Sequence, residues 1–169
     1  MNLTDLFLAQ LEREVPRNRH ALEGVPMGKN DWKPHDKSMP LGRLALLVAT
    51  IPSWMTMIVD QDSLDLKPAG GSSFSQEPAK STAELVQAFE KSVEGARAAL
   101  KATTDAHLMT SWKLLETGRV VMEQPRHIVL ADTFMHMAHH RGQLTVYQRL
   151  SGAPVPAVYG PSADDAHFA

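Results

Sequence analysis

Three of the eight histidines fall within five residues, His136-Met137-Ala138-His139-His140. At about 100° of turn per residue, His136 and His140 stand one helical turn apart and about 40° from each other, on one face. Such a pair can present two imidazole nitrogens to one divalent ion at about 2.0–2.1 Å. With His136 set at about 0°, Val129 and Tyr147 fall near 20°, Thr133 near 60°, Leu144 near 80° and Met137 near 100°. The spacing therefore predicts that His136 and His140 point into the protein interior, with His139 at the edge of that face. Asp132, one turn before His136, is placed to orient it as a hydrogen-bond acceptor. It stands eight residues from His140, about 12 Å along the axis, and so makes a poor co-ligand with both histidines.

A catalytic zinc takes three protein ligands and keeps one position open, so a third donor has to come from another element. The same spacing equally describes two neutral histidines that bond each other, Asp132, Gln143 or Tyr147 and fill volume. No Glu follows His136, so the HExxH pattern of zinc proteases is absent.

The chain of 169 residues, with 17 Lys+Arg against 19 Asp+Glu, fits a single domain over residues 1–169 with room for a real core. A formal net charge of −2 supplies no basic stripe for a phosphate backbone, so nucleic acid is not an expected partner. The absence of cysteine excludes disulfides, thiolate metal sites and a cysteine nucleophile. The N-terminus has no basic patch before an apolar stretch, and the apolar segment from Leu41 to Val59 is broken by Arg43, Pro52 and Ser53. No signal peptide, no membrane span and a cytoplasmic location are the expectations.

Four segments carry helical periodicity. The first runs from about Leu3 to Leu22, with Pro16 expected to bend or interrupt it. The second runs from about Pro40 to Gln61 with Ser38 as N-cap, and Pro52 should kink it. Ser81-Thr82-Ala83-Glu84 has the form of a capping box opening a third helix to about Thr103. The fourth runs from Pro125 to Leu150 and stops at Ser151-Gly152, ahead of an extended tail. Residues 62–80, rich in Gly, Ser and Pro, read as a long connection. Two extended runs around Gly118 read as a small hairpin. The fold class predicted is all-α, a four-helix bundle with a long loop after the second helix and a short extended or hairpin insert before the fourth.

The run His136-Met-Ala-His-His-Arg-Gly-Gln-Leu with Tyr159-Gly-Pro-Ser resembles the DinB-like superfamily. So do Trp32-Lys-Pro-His-Asp-Lys-Ser38 and Leu41-Gly-Arg-Leu-Ala45 with Pro52-Ser-Trp54, and the likeness spans nearly the whole chain in order. The resemblance implies a bundle of up-down-down-up type, often a homodimer, holding a divalent metal (zinc, nickel or iron) on three histidines. It implies a thiol ligand too, since characterised relatives include thiol-dependent S-transferases and a maleylpyruvate isomerase, while many members have no assigned activity. Carried over, the fourth-helix ligands fall on His136 and His140. The second-helix ligand falls on Leu47, which has no lone pair to donate. His35, His107 and Glu116 are the other donors that the sequence offers as replacements.

Arg141, about 140° round from His136, is expected to pair with a carboxylate or at an interface. Trp32, Trp54 and Trp112 suit core positions or a cleft wall. His20, His127 and His167 read as surface residues. The leading reading is a metal-binding protein of this superfamily, either a metal-dependent thiol S-transferase or a hydrolase. The rival is a metal-free small-molecule-binding or stress-response module, in which Leu47 and the kink at Pro52 create an apolar pocket.

Overall fold

A computed structural model of the chain describes residues 2–71 and 77–167. Among these, the elements run α1 (Leu3–Glu23), α2 (Leu41–Thr50), α3 (Pro52–Asp60), β1 (Ser63–Asp65), α4 (Thr82–Ala102), α5 (Asp105–Leu108), β2 (Ser111–Glu116), β3 (Arg119–Pro125) and α6 (Arg126–Leu150). The expected all-α four-helix bundle is therefore corrected. Six helices accompany a three-stranded mixed sheet, in the order β1-β2-β3.

The hairpin expected around Gly118 is present as β2 and β3, which pair antiparallel with an irregularity between Leu114 and Leu115. The added strand comes from the stretch read as connection. Ser63, Leu64 and Asp65 lie parallel to β2, opposite Lys113, Leu114 and Leu115. The remainder of that stretch falls partly on residues 72–76, outside the described residues.

One side chain explains why β1 joins. The Asp65 carboxylate accepts the backbone N–H groups of Lys67 at 2.9 Å, Thr117 at 3.0 Å and Gly118 at 2.7 Å. Those donors, Lys67 first, hold Asp65 below the usual carboxylate range. Thr117 and Gly118 both take left-handed backbone (φ 53° and 74°), the form a two-residue hairpin turn requires. A β-branched Thr disfavours that region, and the Asp65 acceptor offsets the cost.

The long helices follow local chemistry. Ser81 accepts the Glu84 N–H at 3.2 Å, and the Glu84 carboxylate accepts the Lys80 N–H at 2.8 Å. Asp105, the first residue of α5, caps α1 instead, accepting the N–H groups of Leu3 and Thr4 at 2.9 and 3.1 Å. Pro16 lies inside α1 without ending it. Pro52 acts more strongly: α2 and α3 meet at a bend of 47°. A proline lacks an N–H and clashes with the carbonyl four residues back. At the break, Ser53 Oγ donates to the Thr50 carbonyl at 2.7 Å, and Thr50 Oγ1 donates to that of Leu46 at 2.9 Å. Ser38 caps nothing; Pro40 precedes α2 directly.

The bend divides the core. Leu41, Leu44 and Val48 of α2 pack with Leu22, Leu85, Phe89 and Leu144, whereas Met55 and Ile58 of α3 pack with Leu11, Leu100, Leu108, Trp112 and Phe134. No single described helix is long and apolar enough to cross a membrane; the bent α2–α3 pair together has that length and composition, and buries its stripe in these clusters.

Buried cations tie the elements together. Arg141 donates to Glu14 at 2.6 Å, the carboxylate partner expected for it, and Arg17 donates to the same carboxylate at 2.8 Å. The Tyr159 ring lies under both guanidinium groups, at 4.5 Å from Arg17 and 4.9 Å from Arg141, which fastens the tail to α1 and α6. At the other end of α6, Arg126 is 1% exposed. It donates to the carbonyls of Ile58 and Gln61 (2.6 Å to the latter), to Asp62 at 2.5 Å and to Thr110 Oγ1 at 3.0 Å.

Replacing Arg126 by Leu strands the Ile58 and Gln61 carbonyls, and should lower unfolding stability by about 3 kcal/mol on the cost of unsatisfied buried acceptors. Urea titration checks this, with Arg126→Lys expected to restore part of the loss. A change within about 0.5 kcal/mol, typical of ordinary surface positions, would remove the clamp from the account.

Candidate functional site

Between α3, α6 and the sheet lies a cavity of about 360 Å³. Helix α3 supplies Trp54, Met57 and Ile58; the strands and the link after β1 supply Leu64, Leu66, Trp112, Leu114 and Met122; α6 supplies Val129, Asp132, Thr133 and His136. The volume sits at the small end of ligand pockets, about 300–1,000 Å³. Its walls follow from the elements' periods. Trp112, Leu114 and Met122 come from the facing strands, with Leu114 opposite Met122. Trp54 and Met57, three apart on α3, turn to the cavity while Met55 is fully buried. Trp112 is thus both core and cavity wall, at 3% exposed.

The histidines stand toward the surface, not in the interior, and His136 is the one that lines the cavity. His136 and His139 are exposed and His140 is half-buried. The physical reason is the true centre of the buried face of α6. Arg126, Leu130, Met137, Arg141, Leu144 and Gln148 are its most enclosed members, and they centre about 100° round from His136. The apolar residues nearest His136 in angle mark only the margin of that face.

Within the pair, His140 Nδ1 donates to the Gln143 side-chain oxygen at 2.7 Å. A neutral His140 then keeps its lone pair on Nε2, which faces His136 Nε2 at 2.9 Å, so the His136 nitrogen donates. The His136 ring also packs on Trp54, with centroids 4.9 Å apart. Partial burial first, then the neighbouring His140 and His139, hold the His136 pKa below its usual 6.5.

The other residues singled out from sequence scatter. Asp132 lines the cavity near His136, and no hydrogen bond joins the two among the described residues. Tyr147 packs edge-on against Trp32 at 5.7 Å, among the second core cluster and away from the pair. His35 Nδ1 accepts the Lys37 N–H at 3.1 Å in an exposed loop. His107 Nε2 bonds the Val59 carbonyl at 2.9 Å. Glu116 pairs with Lys67 at 2.6 Å. None of these completes a metal shell: among the described residues, no three His, Asp or Glu side chains stand together as one. Leu47 is half-buried against the first core cluster. His127, expected at the surface, is half-buried and bonds the Leu108 carbonyl at 3.1 Å.

Sequence reasoning passed over Leu64, Leu66 and Met122 as wall residues and Arg126 as the clamp behind them. The apolar alternation of Leu64 and Leu66 was the available signal.

The DinB family model matches residues 1–167. The fold is similar to two solved structures. One is a DinB-like protein from Bacillus cereus ATCC 10987, at TM-score 0.65 and 23% identity, covering 90% of this chain and 95% of that one. The other is the DinB-like protein YjoA from Bacillus subtilis, at TM-score 0.63 and 18% identity, covering 87% and 92%. A stretch of 43 residues is 40% identical to the uncharacterized protein YrdA of Bacillus subtilis (strain 168), and spans 25% of this chain and 26% of that protein.

The lowered His136 pKa means that the folded state favours the neutral ring, so its contribution to stability is present above pH 6.5 and is lost as pH falls through the folded value. In an NMR titration the His136 ring should turn over below 6.5. In His140→Ala the midpoint should rise only part of the way back, because burial is the larger cause. A midpoint at or above 6.5 in the unaltered protein would overturn this picture of the pair.

Proposed function

The chain belongs to the DinB family, and from that premise we propose that it binds a small molecule with an apolar body in the cavity between α3, α6 and the sheet. One observation carries the reading. Nine of the twelve lining residues are Trp, Met, Leu, Ile or Val, and the three others (Asp132, Thr133 and His136) all lie on α6. Apolar walls supply affinity, and a few polar groups on one side supply orientation, the usual division of labour in ligand sites. The clamp at Arg126 fixes α3 against α6, so the cavity is formed before a ligand arrives and little ordering cost falls on binding.

A specific observation favours a second reading, in which the His136–His140 pair holds a divalent metal. Their Nε2 atoms face each other at 2.9 Å, and Gln143 fixes the His140 ring. The donor set falls short of the three-histidine site that the family resemblance implies, because position 47 is Leu and no third side chain joins the pair among the described residues. In this reading His136 and His140 give two nitrogens, and water or a bound thiol fills the remaining positions. Zinc, nickel or iron held there would supply Lewis acidity toward a thiol or water, the chemistry of S-transfer or hydrolysis.

Calorimetry with the neutral probe 1-naphthaleneethanol tests the first reading. Binding is expected below about 1 mM, and Met57→Trp, which fills the cavity, should weaken it about tenfold or more without unfolding the protein. Absence of heat from the unaltered protein at that concentration would sink the reading.

Elemental analysis of tag-free protein beside His136→Ala/His140→Ala tests the second. Near-stoichiometric metal that the double variant loses is expected, with Leu47→His raising affinity further. Background metal in both proteins would remove it.

A further inference from the structure

We propose that the cavity selects organic cations: ligands whose apolar body, aromatic or branched, carries a protonated amine that rests at the mouth on Asp132. This rests on the cavity reading above and adds the chemical class of the ligand.

The inference comes from what each polar lining group can still do. The Asp132 carboxylate is acceptor-only, exposed, and engaged in no hydrogen bond or ion pair among the described residues. Thr133 Oγ1 donates its one proton to the Val129 carbonyl at 2.8 Å, which leaves only lone pairs to offer. His136 Nε2 donates to His140 at 2.9 Å, and its other nitrogen is an acceptor. Among the described residues, no Lys or Arg lines the cavity. Of the cations on the surrounding elements, Arg126 is committed to Asp62 and three further oxygen acceptors, Lys67 to Glu116 and Lys113 to Glu123, while Arg119 stands at the hairpin end of β3, outside the lining.

Among the described residues the lining thus holds one formal negative charge and no basic Lys or Arg; its unpartnered donors are neutral indole N–H groups, the buried one of Trp112 included. A carboxylate or thiolate ligand would meet Asp132 with like charge and no cationic partner, with only neutral indole N–H groups to bond its lone pairs. An ammonium finds a carboxylate and, in Trp54 beside His136, an aromatic ring that attracts cations. The apolar walls hold the rest of the molecule, and the small volume limits the body to about the size of a fused bicycle.

Three probes with one naphthalene body isolate the charge: 2-(1-naphthyl)ethylamine, 1-naphthaleneethanol and 1-naphthaleneacetate, titrated by calorimetry at pH 7 and low salt. The amine should bind about three- to tenfold more tightly than the alcohol, the advantage expected for a partly solvated ion pair, and the acetate most weakly. Asp132→Asn should erase the advantage of the amine over the alcohol; Asp132 is exposed, so the fold tolerates the change. Equal binding of amine and alcohol, an advantage that survives Asp132→Asn, or preference for the acetate would overturn the cation proposal while the cavity reading stands. If no probe binds, both fall.

Discussion

Arg126 is the residue on which the geometry of the site depends. Its guanidinium sits at the first turn of α6, where the helix dipole disfavours a cation. It is held there by the carbonyl ends of α3, by Asp62 at the entrance to β1 and by Thr110 at the entrance to β2. Its own backbone N–H donates to the Thr110 carbonyl at 2.9 Å. A buried cation satisfied by four acceptors contributes less to net stability than its contacts suggest, since desolvation offsets most of the gain. What it contributes is position. The end of α3, the start of α6 and the residues just before two strands converge on one point, and the cavity is the space these elements enclose beyond it.

Pro52 provides the second constraint. A straight helix over 41–60 would keep one stripe against one core. The bend of 47° lets α2 pack with the first half of α4 and the end of α1, while α3 packs on the second half of α4 and on α6, in the cluster that includes Trp112 of the sheet. Helix α4 serves both clusters from one uninterrupted stripe, with Leu85, Phe89 and Val93 in one and Ala96, Ala99 and Leu100 in the other. Of the two halves, α3 is the one with a side left to wall the cavity, and Trp54 and Met57 occupy it.

Features set by local chemistry were legible in the sequence. The Ser81–Glu84 cap, the break at Pro52, the hairpin about Gly118 and a carboxylate partner for Arg141 all follow from residues within a few positions or from a simple charge argument. The third strand was not legible. Three residues carry no periodicity, and β1 exists because Asp65 reaches a turn 52 positions away. Helix α5 is similarly short, held by Thr104 at its start and by the docking of Asp105 on α1. The histidine face was misjudged for a different reason. The buried face of α6 is centred partly on polar side chains, Arg126, Arg141 and Gln148, that a hydrophobic stripe does not count. Two of these are guanidinium groups satisfied by partners far away in sequence, so the wheel drawn on apolar residues alone pointed toward the margin of the face.

The same polar burial bears on what the mouth can hold. Arg126 and Arg141 are turned away to Asp62 and Glu14 and stand outside the lining, so among the described residues no Arg of α6 meets a ligand there. An ammonium on Asp132 and a divalent ion on His136 and His140 would place like charges about one helical turn apart, at the rim of one apolar cavity where screening by water is reduced. Each would lower the affinity of the other, and by linkage to the same degree. The two occupants are therefore rivals for one mouth, and an ordered reaction that needs both at once is the arrangement that this electrostatic environment opposes most.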